Sequence, residues 1–285
     1  MKSTLLLPLT AVISITTVSS YAGDTNTMPD WLKRTDIEFD VQESLNPSIS
    51  VETIQPLFMN ENDTVFFQGR LNHDAEIQDQ TLNLGLGYRY LTNDKTWLLG
   101  VNAWYDRTFD LDHERRGLGV EAIGEYITVR SNYYDAFSGW KTASTVNGVS
   151  TQEKALDGWD FELEAPVPYV PWARISAKRF EWDAINTKNV DGYSVGVRMN
   201  PTGNTELTIG ATDDSTKDAQ AFLNFAWYFD RPEGVEFTAA DGTSTGVFVK
   251  RDVSKHRLDK VRRQNNIVVE RKTTGGGGIV IGRRN

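Results

Sequence analysis

Cysteine is absent from the 285 residues, histidine occurs only three times, and after residue 22 no apolar run approaches the ~20 residues that a membrane-spanning helix requires. Without cysteine there is no disulfide framework, which excludes the small stapled scaffolds of exported chains; a chain this long can bury a core unaided. His73, His113 and His256 share no metal-ligand spacing, so neither a metal nor another cofactor is expected. The glycine run at 275–278 has no Lys-Ser/Thr after it and no strand–helix context, which excludes a phosphate loop and leaves a flexible spacer. Near His113 lie Asp110, Asp112 and Glu114, a combination that could sit at the rim of a hydrolase. No nucleophile–base pairing accompanies them, so they read as a solvated charged loop, and the chain is expected not to be an enzyme.

The N-terminus supplies an address. Lys2 precedes a mostly apolar stretch over 5–18, and Ser20-Tyr21-Ala22 carries small residues at the cleavage positions. This is the pattern of a secretory signal removed after Ala22. Charge is sorted along the chain. From Lys250 onward there are 11 basic and 3 acidic residues, a net of +8; between Gly23 and Val249 there are 18 basic and 36 acidic, a net of −18. A basic tail on an acidic body suggests that the tail binds the body. Nucleic acid could also attract the basic cluster at 255–263, but export argues against it.

The central stretch is residues 97–106, WLLGVNAWYD. With side chains alternating at period two, Trp97, Leu99, Val101, Ala103 and Tyr105 share one face, apolar in the middle and aromatic at both ends. That is the lipid face of a strand crossing a bilayer, with rings at the two water interfaces. Similar alternation recurs in about twelve stretches, from 35–41 to 223–229, and is cleanest at 82–90. There Leu84, Leu86 and Tyr88 oppose Gly85, Gly87 and Arg89; Trp227 joins the outward set in the last stretch. Leu86→Arg should therefore be costly and Gly85→Ser much less so. Asp36, Glu38, Arg89, Asp160, Glu162 and Glu164 fall on the opposite, inward faces. Connections alternate between short (60–63, 92–94, 124–125, 166–171, 200–204) and long (107–116, 136–156, 181–189), as in an outer-membrane barrel whose short turns face the periplasm. The fold expected is an all-β, transmembrane antiparallel barrel of about 12 strands.

Three ordered motifs carry a resemblance: LNLGLGYRYL, then WLLGVNAWYDRTFD, then RRGLGVEAIGEYITVRSNYYDAFSGW. With DGWDFELEAPVPYVP and HRLDKVRRQNNIVVE further on, residues 31–272 resemble the N-terminal barrel and linker of the intimin/invasin family, the inverse autotransporters. The resemblance implies a twelve-stranded barrel in the outer membrane of a Gram-negative bacterium, surrounded by its lipid and delivered by periplasmic chaperones and the barrel-assembly machinery. It also implies a partly helical linker that returns through the pore to carry an adhesive passenger outside.

The expected organisation is a signal (1–22), a short periplasmic leader (23–33), the barrel (34–229), a linker in the pore (230–272) and a glycine-rich tail (273–285). After Glu270 only 15 residues follow, whereas an immunoglobulin-like passenger needs about 100. The expectation is thus a translocator barrel for surface display and attachment that lacks an adhesive passenger, with a separately encoded passenger as one alternative; no residue points to a host receptor. The alternative is a porin-like channel for small solutes. In the linker, Arg257, Lys260 and Arg263 are expected on a helix facing Glu162 and Glu164, with Asn265 and Asn266 breaking that helix before an extended segment.

Overall fold

The computed structural model describes residues 28–43, 45, 47–74, 80–230, 232–234, 247–273 and 280–282. The expected signal, and most of the glycine-rich tail with its terminal arginines, lie outside the described residues. A single helical turn, α1 (Asp30–Lys33), leads into the strands. These are β1 (Thr35–Gln42), β2 (Ser48–Met59), β3 (Asp63–Asp74), β4 (Gln80–Leu91), β5 (Trp97–Thr108), β6 (Glu114–Gly124) and β7 (Thr128–Ala136). Two shorter strands follow, β8 (Lys141–Val146) and β9 (Val149–Ala155). Then come β10 (Gly158–Val167), β11 (Val170–Trp182), β12 (Val190–Thr202), β13 (Thr205–Asp214) and β14 (Lys217–Tyr228). The last two are β15 (Val269–Thr273) and β16 (Val280–Gly282).

Twelve of these strands close into an antiparallel barrel in sequence order, with β1 pairing both β2 and β14 and with β7 pairing directly with β10. Each alternating stretch of the sequence falls in one barrel strand. At one end the strands are joined by tight turns at 60–62, 92–96, 125–127, 168–169 and 203–204, and both ends of the barrel segment, Thr35 and Tyr228, lie there too. This is the periplasmic end by the outer-membrane pattern.

The faces are inverted relative to a water-soluble barrel. Leu84, Leu86, Tyr88, Trp97, Leu99, Val101 and Trp227 are exposed, while Asn83, Arg89, Asn102 and Asp106 on the same or neighbouring strands are buried in the lumen. An apolar outer band around a polar interior is stable only if hydrocarbon, rather than water, surrounds it. Tyr105, at the outer end of its strand, is half-buried and donates its hydroxyl to Glu114.

Gly85 is less replaceable than its inward position suggests. A Cβ there would lie 2.8 Å from the Trp104 ring, and one at Gly87 would lie 2.1 Å from Phe66. The glycines let both rings lie flat on the inner wall. With Ile54 the rings form an apolar shelf that receives Val261 and Leu258 of the linker.

The connection at 136–156 is no plain loop. It forms the hairpin β8–β9 around Asn147 (φ 52°) and Gly148 (φ 80°), left-handed backbone that suits the twist of a two-residue turn. This hairpin stands outside the barrel and heads a second sheet in the order β8-β9-β15-β16, so the linker supplies its third strand and the tail its fourth. It also covers His113, which is 1% exposed rather than solvated. The ring's Nδ1 lies 3.4 Å from Ser138 Oγ and its Nε2 3.8 Å from Glu153, tying the hairpin to the barrel rim.

Candidate functional site: the linker seat in the lumen

The linker enters at the periplasmic end. Arg251 donates from Nε to the Gly124 carbonyl at 2.7 Å, and its backbone N–H to Glu125 O at 3.1 Å, clamping the chain to the β6–β7 turn. Asp252 then caps a single 3-10 turn (Val253–His256); the Ser254 hydroxyl that donates to it holds its carboxyl below the ordinary carboxylate range. Beyond this turn the linker is extended or irregular, which corrects the expectation of a helix over 255–263. The physical reason is visible in its hydrogen bonds. A helix would consume its own carbonyls, whereas here they accept from the barrel wall. Arg89 Nη1 donates to Asp259 O (2.6 Å) and Arg257 O (3.0 Å), Arg115 Nη2 to Gln264 O (2.6 Å), and Asn83 Nδ2 to Asn265 O (2.9 Å).

The linker's cations find inward acids: Asp36 and Glu38, expected to seat the tail, take Lys260, but Glu162 and Glu164 do not serve as partners. Lys260 Nζ sits 2.8 Å from Asp36 and 3.4 Å from both Glu38 and Glu52. Arg263 forks onto Asp106 with bonds of 2.7 and 2.6 Å, and its guanidinium stacks 4.5 Å from the Trp104 ring centre. Arg262 reaches Glu206 at 2.7 Å. Arg257 instead wraps the β2–β3 turn, donating to Asn60 O (2.8 Å), Asp63 O (2.5 Å) and Thr64 Oγ1 (2.8 Å). Asn265 and Asn266 meet the wall through their carbonyls, at Asn83 and Arg115.

Glu162 and Glu164 are not partners of Arg257, Lys260 or Arg263. Both are held by barrel arginines: Glu162 by Arg130 (2.7 Å), and Glu164 by Arg174 (2.5 Å) and Arg198 (2.6 Å). Asp160 accepts from Asn132 (2.8 Å) and Tyr134 (2.6 Å). Cross-strand neighbours fixed by register reach these acids first, because they need no loop closure to do so.

At the far end the linker leaves the lumen and becomes a strand. β15 pairs antiparallel with β9 from Val269↔Ala155 to Thr273↔Thr151. Glu270, fully buried, accepts from the backbone of Ile185 (2.6 Å) and the side chain of Asn186 (2.9 Å) in the long β11–β12 connection. Arg271 bonds Glu153 at 2.8 Å. Gln68 Oε1 accepts from the Val261 backbone N–H at 2.9 Å. The residues that sequence reasoning missed are therefore Asp106, Arg115, Gln68, Glu206 and Glu270. The first four stand on inward faces and were open to the same parity argument that selected Asp36. The hairpin carried its own signal, Asn-Gly flanked by alternating Thr and Val.

Comparison with known proteins matches residues 16–265 to the family described as inverse autotransporter, beta-domain. The chain is 25% identical over 259 residues to the inverse autotransporter adhesin YeeJ of Escherichia coli K12, covering 84% of this chain and 10% of YeeJ. It is 25% identical over 250 residues to invasin of Yersinia enterocolitica, covering 83% of this chain and 29% of invasin. A putative attaching and effacing protein homolog of Escherichia coli K12 matches at 30% over 144 residues, half of this chain and 46% of that protein. The chain thus spans less than half the length of each of these relatives. A solved structure from work on in-meso crystallisation of membrane proteins shares the fold, with a TM-score of 0.66 and 22% identity over 84% of this chain and 99% of that one. With the closed twelve-stranded barrel, its apolar exterior and the family match together, the chain belongs to the inverse autotransporter β-domain family and is a barrel of the Gram-negative outer membrane.

Proposed function

We propose that this barrel passes its own C-terminal linker through the lumen and holds it at the cell surface, as a display and attachment device without enzymatic activity. The observation that carries the reading is the course of one continuous segment. Arg251 is bound to a periplasmic turn and, eighteen residues later, β15 is hydrogen-bonded into a sheet at the opposite end. Between them the linker fills the middle of the lumen, which favours display over a porin-like role. A bilayer core of about 30 Å is crossed by about ten extended residues, so this length suffices with slack. The reading carries with it delivery by periplasmic chaperones and the barrel-assembly machinery, lipid as the surrounding partner, and an adhesive segment as the cargo.

The test is a cysteine at each of two paired positions, Gln152→Cys on β9 and Lys272→Cys on β15, which lie opposite one another. In intact cells the Lys272→Cys protein alone should react with a thiol reagent that cannot cross the outer membrane, and the pair should form a disulfide. Labelling only after the periplasm is opened would show that the linker stays inside.

A further inference from the structure

Beside the linker the lumen keeps a cavity of about 370 Å³ in its periplasmic half, within the size range of small-molecule sites. Its charge is lopsided. Among the described residues ten Lys/Arg side chains line it against five Asp/Glu, although the barrel as a whole is acidic. The excess is concentrated at Glu164. Arg174 and Arg198 bond this carboxylate at 2.5 and 2.6 Å, while Arg130 and Arg251 stand 3.5 and 3.9 Å away. Four guanidiniums thus face one carboxylate. Arg130 is shared with Glu162 and Arg198 with Glu206, and Glu206 also takes Arg262. With Glu121, which stands 4.0 Å from Arg130 and pairs with Arg89, six guanidiniums divide four carboxylates.

A second observation points the same way. Arg130, 5% exposed, lines the cavity; its Nη1 donates to Glu162, and its Nε finds no hydrogen-bond acceptor among the described residues. Glu121 Oε2 lies 4.0 Å from that Nε, too far for a hydrogen bond, and Glu121 Oε1 is taken by Arg89 at 2.7 Å. A buried donor without an acceptor, among like charges in a partly enclosed space, is costly unless an anion completes it. The planar guanidinium fork matches tetrahedral and carboxylate-like oxyanions.

We propose that this cavity is a binding site for a phosphate-class oxyanion drawn from the periplasm, with Arg130, Arg174, Arg198 and Arg251 as its donors. The barrel wall separates it from lipid, so a free anion rather than a headgroup is the occupant. The proposal is independent of whether the linker reaches the surface, since the cavity belongs to the periplasmic half.

Inorganic phosphate titrated into the refolded full chain in phosphorus-free detergent, with ionic strength held constant by chloride, tests it through the ³¹P linewidth. Saturable binding of one phosphate per chain is expected. Arg174→Gln should bind at least about tenfold more weakly, the equivalent of ~1.4 kcal/mol, while Arg174→Lys, which keeps the charge but loses the fork, should fall between. Lys188→Gln, on the outer connection, serves as the control and should match the parent. Each variant is checked for a heat-modifiable folded band; should Arg174→Gln not fold, Arg198→Lys is read in its place. Non-saturable broadening, or equal affinity in parent and variant, overturns the site. Displacement of phosphate by a soluble short-chain phosphatidylglycerol would overturn the assignment to a free anion.

Discussion

Asp106 ties the wall to the linker through a buried two-bonded fork, and its removal has a calculable consequence. It accepts two bonds from Arg263 (2.7 and 2.6 Å), one from Arg115 (2.9 Å) and one from Asn83 (2.8 Å), and all three charged side chains are fully buried. In Asp106→Asn the two guanidiniums face each other with no anion between them. Breaking a buried ion pair from one side costs about 3–5 kcal/mol, most of it the penalty of the stranded charge. Arg263→Met leaves Asp106 with Arg115 and Asn83, and loses chiefly a charge-assisted fork and the stack on Trp104, about 1–3 kcal/mol. In the Arg263→Met background, Asp106→Asn strands only one cation. It should therefore cost less there than in the parent by about 1–3 kcal/mol, a coupling typical of residues in one network. Linker seating is read by trypsin cleavage at Lys260 and Arg262 as urea is raised, which samples the opened state. Equal cost of Asp106→Asn in both backgrounds would refute the reasoning, because Asp106 would then act only within the wall.

Leu86→Arg should destabilise the barrel in lipid by about 2–4 kcal/mol if the side chain lies near the bilayer midplane, measured by reversible urea unfolding. Gly85→Ser, mild by side-chain parity alone, should be clearly destabilising as well, because Trp104 occupies the space of its Cβ; a neutral Gly85→Ser would contradict the packing of that ring. A chain ending after Phe229 should conduct ions in planar bilayers well above the full chain, and equal conductance would mean that the linker does not fill the pore. Gly148→Val forces a β-branched side chain into φ +80°, so it should weaken the hairpin and lower the Gln152→Cys/Lys272→Cys cross-link yield without altering the barrel's heat-modifiable mobility.

Much of this architecture was legible in local pattern. Alternation assigned Leu84, Leu86 and Tyr88 to one face and Arg89 to the other, because side-chain parity in a strand is a property of the backbone itself. Aromatic ends on an apolar face named the solvent, and the sorting of short and long connections named the end that faces the periplasm. The opposed charges of body and tail announced that the tail would be held within the body. Local pattern also overreached: Leu258 and Val261, spaced for a helix, sit in a segment that stays non-helical because the wall offers its carbonyls better-placed donors.

What only the tertiary structure decided is which charge meets which. Closing twelve strands into a ring sets each inward side chain at an angle and a height, and those two coordinates are absent from any single strand. Glu162 and Glu164 met Arg130 and Arg174 on adjacent strands, and Glu164 also Arg198 one strand further, leaving Asp36, Glu38 and Asp106 for the linker. The same closure left an arginine-rich cavity inside an acidic protein, since a linker of fixed width cannot fill both sides of a lumen this wide. The capture of β15 by the β8–β9 hairpin likewise depends on contacts more than a hundred residues apart, a pairing that register alone could not specify before the linker had crossed the barrel.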